Sequence, residues 1–135
     1  MTAPNINPEQ ATSIRTRHDA LRNWLKANKR NSYHRDELPI DIDPPSNDEL
    51  TALELYEWRT DPPDQYFLYI NTDARIATTW TGATLGHVCL GREYRDNFGG
   101  ARVPVWITGT NGCQYWGTYY KSAGDYARVR KVKTR

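Results

Sequence analysis

The sequence predicts an α+β protein: two N-terminal helices followed by a small antiparallel β-barrel, or a curled β-sheet, of five to six short strands. Three observations carry that expectation. Up to about residue 59, two segments place apolar residues at helical spacing behind recognisable caps. From Tyr66 onward the rhythm changes to short β-prone runs separated by turn residues. A chain of 135 residues with nine Tyr and five Trp also carries enough apolar bulk to fold without a disulfide or a metal.

Asn7 is placed to cap the first helix, with Pro8 at the first helical position and Gln10 three residues after the cap. From there to about Asn28, Ile14, Leu21, Trp24 and Leu25 fall on one arc, interrupted by Arg17, while Arg15, Arg22, Lys26 and Lys29 fall on another. This is a basic amphipathic helix, expected to pack its apolar arc on the barrel and leave the basic face in solvent. Phosphate contacts beside the barrel are a second use for that face. An anionic membrane is a third, disfavoured because the arc is short. The three prolines in Leu38–Pro45 forbid a helix and favour an extended segment. Ser46 and Glu49 form a capping box for a second helix, which runs to about Arg59 and stops at Asp61-Pro62-Pro63-Asp64. Its apolar residues spread widely around the axis, so burial on more than one side is expected.

The expected strands are Tyr66–Asn71, Arg75–Trp80, Leu85–Tyr94, Arg102–Thr108, Gln114–Tyr120 and Tyr126–Val132. Between the last two pairs lie Thr110-Asn111-Gly112 and Ser122-Ala123-Gly124-Asp125. Asn111-Gly112 is the strongest hairpin signal and suits a type I′ turn.

Charge is sorted into three blocks. Residues 1–35 hold seven basic against two acidic side chains, a net +5; residues 36–64 hold one against ten, a net −9; residues 65–135 hold ten against four, a net +6. The blocks read as a basic amphipathic helix with its exit, an acidic proline-rich segment with the second helix, and a basic small barrel, all within one structural domain. The basic ends are expected to meet either a polyanion or the acidic middle of the same chain. The acidic middle is expected to be a solvated face, a neutraliser of the basic regions, or a contact for a basic protein.

The functional lead is the outward surface of the last three strands. Alternation sets Val103, Val105 and Ile107 on one face and Arg102, Pro104 and Trp106 on the other. Both faces of the next strand carry aromatic rings, and in the last strand Arg128 and Arg130 share one face and Lys131 and Lys133 the other. A surface mixing exposed rings with cations suits single-stranded nucleic acid, because bases stack on rings and cations track phosphates. The sequence therefore predicts a non-enzymatic module for single-stranded RNA or DNA. Arg102, Lys121, Arg128, Arg130, Lys131 and Lys133 would contact phosphates, and Trp106, Trp116, Tyr119 and Tyr120 would supply the stacking platform. The same residue types also suit a protein-interaction or self-association surface. Tyr and Trp are good core and strand residues too, and Lys-rich terminal strands guard against edge pairing.

Other chemistries find little support. The N-terminus lacks a secretory pattern, the longest apolar run is far too short for a membrane span, and the two cysteines make no disulfide framework, so a soluble intracellular protein is expected. His87 and Cys89 share a strand face and could form a Cys–His dyad or half of a zinc site with Cys113 and another His. With no Cys-x-x-Cys pairing, a buried free Cys89 and a satisfied His87 are expected instead, with no metal and no cofactor. Gly99-Gly100 and the Gly109–Gly112 segment lack the lysine and following helix of a phosphate loop.

Overall fold

The Asn7 side chain accepts from the Gln10 backbone N–H at 2.8 Å, and Gln10 Oε1 accepts from the Asn7 N–H at 2.9 Å. This reciprocal cap satisfies two otherwise orphaned donors and starts helix α1, Pro8–Ala27. The computed structural model describes residues 5–120 and 125–133. A short 3-10 turn, Arg35–Glu37, precedes the proline-rich stretch. Helix α2, Asn47–Thr60, begins behind Ser46, whose Oγ accepts from the Glu49 N–H while Glu49 accepts from the Ser46 N–H, both at 3.1 Å. No helix among the described residues is long and apolar enough to cross a membrane.

The chain divides into two compact units, Met1–Tyr56 and Glu57–Arg135, and the boundary falls inside α2. In the first unit, Ala11, Ile14 and Leu53 form a buried cluster, with Ile6, Leu50 and Tyr56 packed against it. Leu21 is buried as well, but Trp24 and Leu25 are only half-buried. Arg17, which interrupts the apolar arc, turns out to be a tie. Its Nη1 and Nη2 donate to Glu49 Oε2 and Oε1 at 2.5 and 2.9 Å, and its Nε donates to the Asp43 carbonyl at 3.1 Å. Arg30 pairs with Glu37. The acidic middle thus meets the basic helix within this unit.

Among its described residues the second unit holds seven antiparallel strands: β1 Gln65–Asn71, β2 Ile76–Thr78, β3 Thr84–Leu90, β4 Tyr94–Arg95, β5 Ala101–Gly109, β6 Gln114–Tyr120 and β7 Tyr126–Lys131. Pairing runs β3-β2-β1-β7-β6-β5-β4, and β3 also pairs with β5. Six strands therefore close into a barrel and β4 is an extra strand on β5. Closure removes the open edges that a curled sheet of these strands would leave.

Alternation fills the interior with Leu68, Ile70, Leu85, Val88, Val105, Ile107, Tyr115 and Val129. Trp58, from the last turn of α2, is buried among them. Its ring stacks on Tyr115 at 4.8 Å and meets Tyr66 at 5.1 Å, and its Nε1–H lies 3.1 Å from the Leu85 carbonyl and 3.2 Å from Thr110 Oγ1. Gly117 faces inward where a Cβ would stand 2.3 Å from the Arg128 carbonyl oxygen, so any side chain there would force β6 and β7 apart.

Three local readings need correction. The expected strand Leu85–Tyr94 is interrupted. Its pairing with β5 slips by one residue between Leu90↔Val105 and Tyr94↔Arg102. The slip falls opposite Pro104, whose carbonyl accepts from the Gly91 N–H at 2.7 Å but which has no N–H to return. The strand expected from Arg75 to Trp80 shortens to Ile76–Thr78, because Arg75 adopts a positive φ of 55° and belongs to the preceding turn. The Asn111-Gly112 hairpin forms, but not through a type I′ turn: only Gly112 has positive φ, at 84°. A three-residue loop with glycine in the left-handed position results. Asn111 instead uses its side chain, donating to the Trp58 carbonyl at 2.9 Å and accepting from the Cys113 N–H at 3.0 Å.

Candidate nucleic-acid interface

The register of β1, β7, β6 and β5 turns sequence alternation into a two-dimensional array of outward side chains. One row reads Gln65, Arg130, Trp116, Trp106, with Cys89 of β3 next in line. The second row reads Phe67, Arg128, Thr118, Pro104. Beyond it, Tyr69 pairs with Tyr126, and Tyr120 pairs with Arg102, which in turn faces Tyr94 of β4. Neighbouring strands stand about 4.8 Å apart and alternate residues about 7 Å apart, so three rows on four strands cover a patch roughly 14 Å on each side.

Two ring groups lie in this array. Trp106 and Trp116 are direct cross-strand neighbours, 51% and 50% exposed. Phe67, 47% exposed, meets Tyr126 at 4.7 Å and Tyr69 at 6.1 Å between ring centres. Between the two groups run Arg130 and Arg128 of β7, both exposed. Neither has an ion pair or a side-chain hydrogen bond among the described residues. No acidic side chain occupies any of these outward positions on the four strands.

The expected site residues separate under this geometry. Trp106, Trp116, Arg128 and Arg130 come together. Arg102 and Tyr120 share the same surface, but Arg102 is already engaged: its Nε donates to Asp96 Oδ2 at 2.9 Å and its guanidinium lies 4.4 Å from the centre of the Tyr120 ring. Tyr119 does not belong to the platform. It is 7% exposed, because the strand alternation that turns Trp116 out turns Tyr115, Gly117 and Tyr119 in. Lys131 and Lys133 lie apart from the array, around an open depression at the end of β7 with Asp64, Cys113 and Gln114. Lys131 pairs with Asp64 at 3.3 Å. Lys121 falls outside the described residues.

Phe67, Tyr69, Tyr94 and Tyr126 were not expected in the site. Alternation within Gln65–Asn71 already separates Phe67 and Tyr69 from Leu68 and Ile70. What the sequence does not display is that β1 pairs with β7, which brings these rings beside the arginines. Cys89 is also corrected. It is exposed on the outward face opposite Trp106, rather than buried, and His87 is exposed on the same face. Rapid alkylation of Cys89 would therefore report accessibility, not activation. Among the described residues no three His, Cys, Asp or Glu side chains are grouped to hold a metal. Comparisons with protein-family models, curated proteins and solved structures find no match to this chain.

Proposed function

We propose that the outward surface of β1, β7, β6 and β5 binds single-stranded nucleic acid without catalysis. The observation that carries this reading is the ladder itself. Two exposed arginines of β7, without an ion pair among the described residues, lie between Trp116 of β6, beside Arg130, and Phe67 of β1, beside Arg128, with no carboxylate among the outward positions. Arg130 and Arg128 are alternate residues of β7, a spacing that successive phosphates of an extended strand can match. Bases unpaired on that strand can then reach Trp116 and Trp106 on one side, Phe67 on the other, and Tyr126 further along β7. A duplex keeps its bases stacked inside and would use the cations alone, so the rings favour single strands. Charge points the same way: Glu57–Arg135 carries eleven basic and seven acidic side chains, a net +4.

The test is titration of the full chain with fluorescein-labelled oligouridylate and oligothymidylate octamers and the matching duplexes, across a salt series. Tighter binding of single strands, weakening with salt, is expected. Absence of binding at low salt would overturn the proposal. A mass that grows with protein concentration would then mark the ring surface as a self-association interface.

A further inference from the structure

The β4–β5 hairpin extends this surface in a way that the arginines of β7 do not. Arg102 stacks on Tyr120, its partner on β6, and faces Tyr94, its partner on β4. Asp96 holds it from the loop. One Asp96 oxygen accepts from the Arg102 Nε–H at 2.9 Å, and the other accepts from the Phe98 and Gly100 backbone N–H groups at 2.9 and 2.8 Å. Arg95 ties the same loop by donating to the Gly99 carbonyl at 2.8 Å. The guanidinium is thus fixed in plane by the Tyr120 ring and in direction by Asp96, which engages only its Nε. Its Nη1 and Nη2 groups have no partner among the described residues.

We infer that Tyr94, Arg102 and Tyr120 form a second, pre-oriented phosphate subsite for the same single strand, with Asp96 as its positioning residue. The inference rests on the proposed nucleic-acid function. Its chemistry is specific to arginine. A fork with two free N–H groups can grip a phosphate bidentately while its flat face stays on a ring, and lysine offers neither feature. Holding the side chain beforehand also removes part of the ordering cost that a free arginine meets on binding. Asp96 opposes the phosphate by its charge, but it occupies only the Nε edge, and two backbone donors share that charge. The subsite lies two strands and two rows from Arg130, about 17 Å along the sheet from the spacings of strands and residues. With successive phosphates of the extended strand about 7 Å apart, as on Arg128 and Arg130, about two to three nucleotides join the two ends.

The test compares wild type, Arg102→Ala, Arg102→Lys and Asp96→Asn in the full chain, with oligouridylate octamers over a salt series. Loss of one phosphate contact should lower the slope of log K against log salt by about 0.7 in Arg102→Ala. Arg102→Lys should keep the slope and lose affinity, because it keeps charge without the fork. Asp96→Asn keeps an oxygen for the loop N–H groups; it should also weaken binding at unchanged slope. Thermal melts identify any variant that fails to fold, and Tyr120→Leu, which removes the stacking ring without touching the loop, then replaces it; it too should weaken binding. A wild type that binds with a salt slope unaltered in Arg102→Ala would overturn the subsite and leave the β7 surface standing. Lysine binding as tightly as arginine, or Asp96→Asn binding more tightly than wild type, would also overturn it. No binding by wild type would overturn both readings.

Discussion

Replacing Arg128 and Arg130 together by alanine should change how binding responds to salt more than it changes anything else. Both side chains are exposed and have no ion pair among the described residues, so their loss should shift stability by no more than about 0.5 kcal/mol. Each phosphate contact to a single strand contributes about −0.7 to the slope of log K against log salt, so two contacts contribute about −1.4. Raising salt fourfold, from about 50 to about 200 mM, should therefore weaken the wild type by about sevenfold more than the double variant. This difference holds whatever Lys131, Lys133 and other cations add, because their share is common to both proteins. Fluorescence anisotropy with a labelled octamer at four or more salt concentrations, beside a thermal melt of each protein, is sufficient. Parallel slopes with equal melting temperatures would show that these arginines do not meet phosphate, and the central cations of the site would be gone.

Further expectations concern the rings, the barrel interior and acid stability. Trp116→Ala should weaken single-strand binding by about 1–3 kcal/mol, roughly 5- to 150-fold, while Trp116→Phe keeps most of the affinity; equal loss in both would argue against stacking. Trp58→Ala removes a ring that is 2% exposed together with its bond to the Leu85 carbonyl, and should cost about 3–5 kcal/mol in denaturant unfolding. A fragment beginning at residue 65 lacks Trp58 and should be destabilised comparably, whereas one beginning before Glu57 keeps it. The Arg17 hydrogen bond is the main cause holding the Glu49 carboxyl at about 2, below its ordinary value of 4.5. A depressed carboxyl stabilises the fold above its unfolded value and ceases to do so as pH falls through the folded one. The first unit should thus lose stability between about pH 4.5 and pH 2. For a side chain 37% exposed, solvent screening keeps the effect to about 1 kcal/mol or less. Glu49→Gln should flatten that part of the acid unfolding profile, and an unchanged profile would show that the pair contributes nothing.

Local patterns in the sequence were legible wherever one neighbour decided the outcome. Both helix caps depend on residues three apart, and both form as spacing predicts. Alternation separated Trp106 from Val103, Val105 and Ile107, and Arg128 and Arg130 from Lys131, and both separations hold in the barrel, where Val103, Val105, Ile107, Ala127 and Val129 are buried. It misplaced Tyr119 because β6 carries rings on both faces, and the small inward residue, Gly117, gives no apolar signal. The missing half of the site has a different cause. Phe67 and Tyr126 meet only through the β1–β7 pairing that closes the barrel, a contact across some sixty residues that no local pattern encodes. Pro104 could have warned of the break after Leu90, but only once its partner strand was known.

The charge blocks leave a choice open for a related reason. Read along the chain, either basic end could meet a polyanion or the acidic middle. Read by compact unit, they differ. Met1–Tyr56 holds seven basic and nine acidic side chains, a net −2, and Arg17 and Arg30 are already bound to Glu49 and Glu37. The acidic middle therefore offsets the amphipathic helix within its own unit and leaves that unit poorly suited to attract phosphate. Glu57–Arg135 keeps a net +4, and of the acidic middle only Glu57, Asp61 and Asp64 fall within it. One consequence separates the two ends experimentally. Replacing Arg15 and Arg22 by alanine should leave the affinity and salt slope for a single strand unchanged within error, because their unit already carries excess negative charge. Replacing Arg128 and Arg130 should change both. A slope that fell equally in the two pairs would mean that the polyanion reads the basic blocks of the sequence rather than the barrel surface that folding assembles.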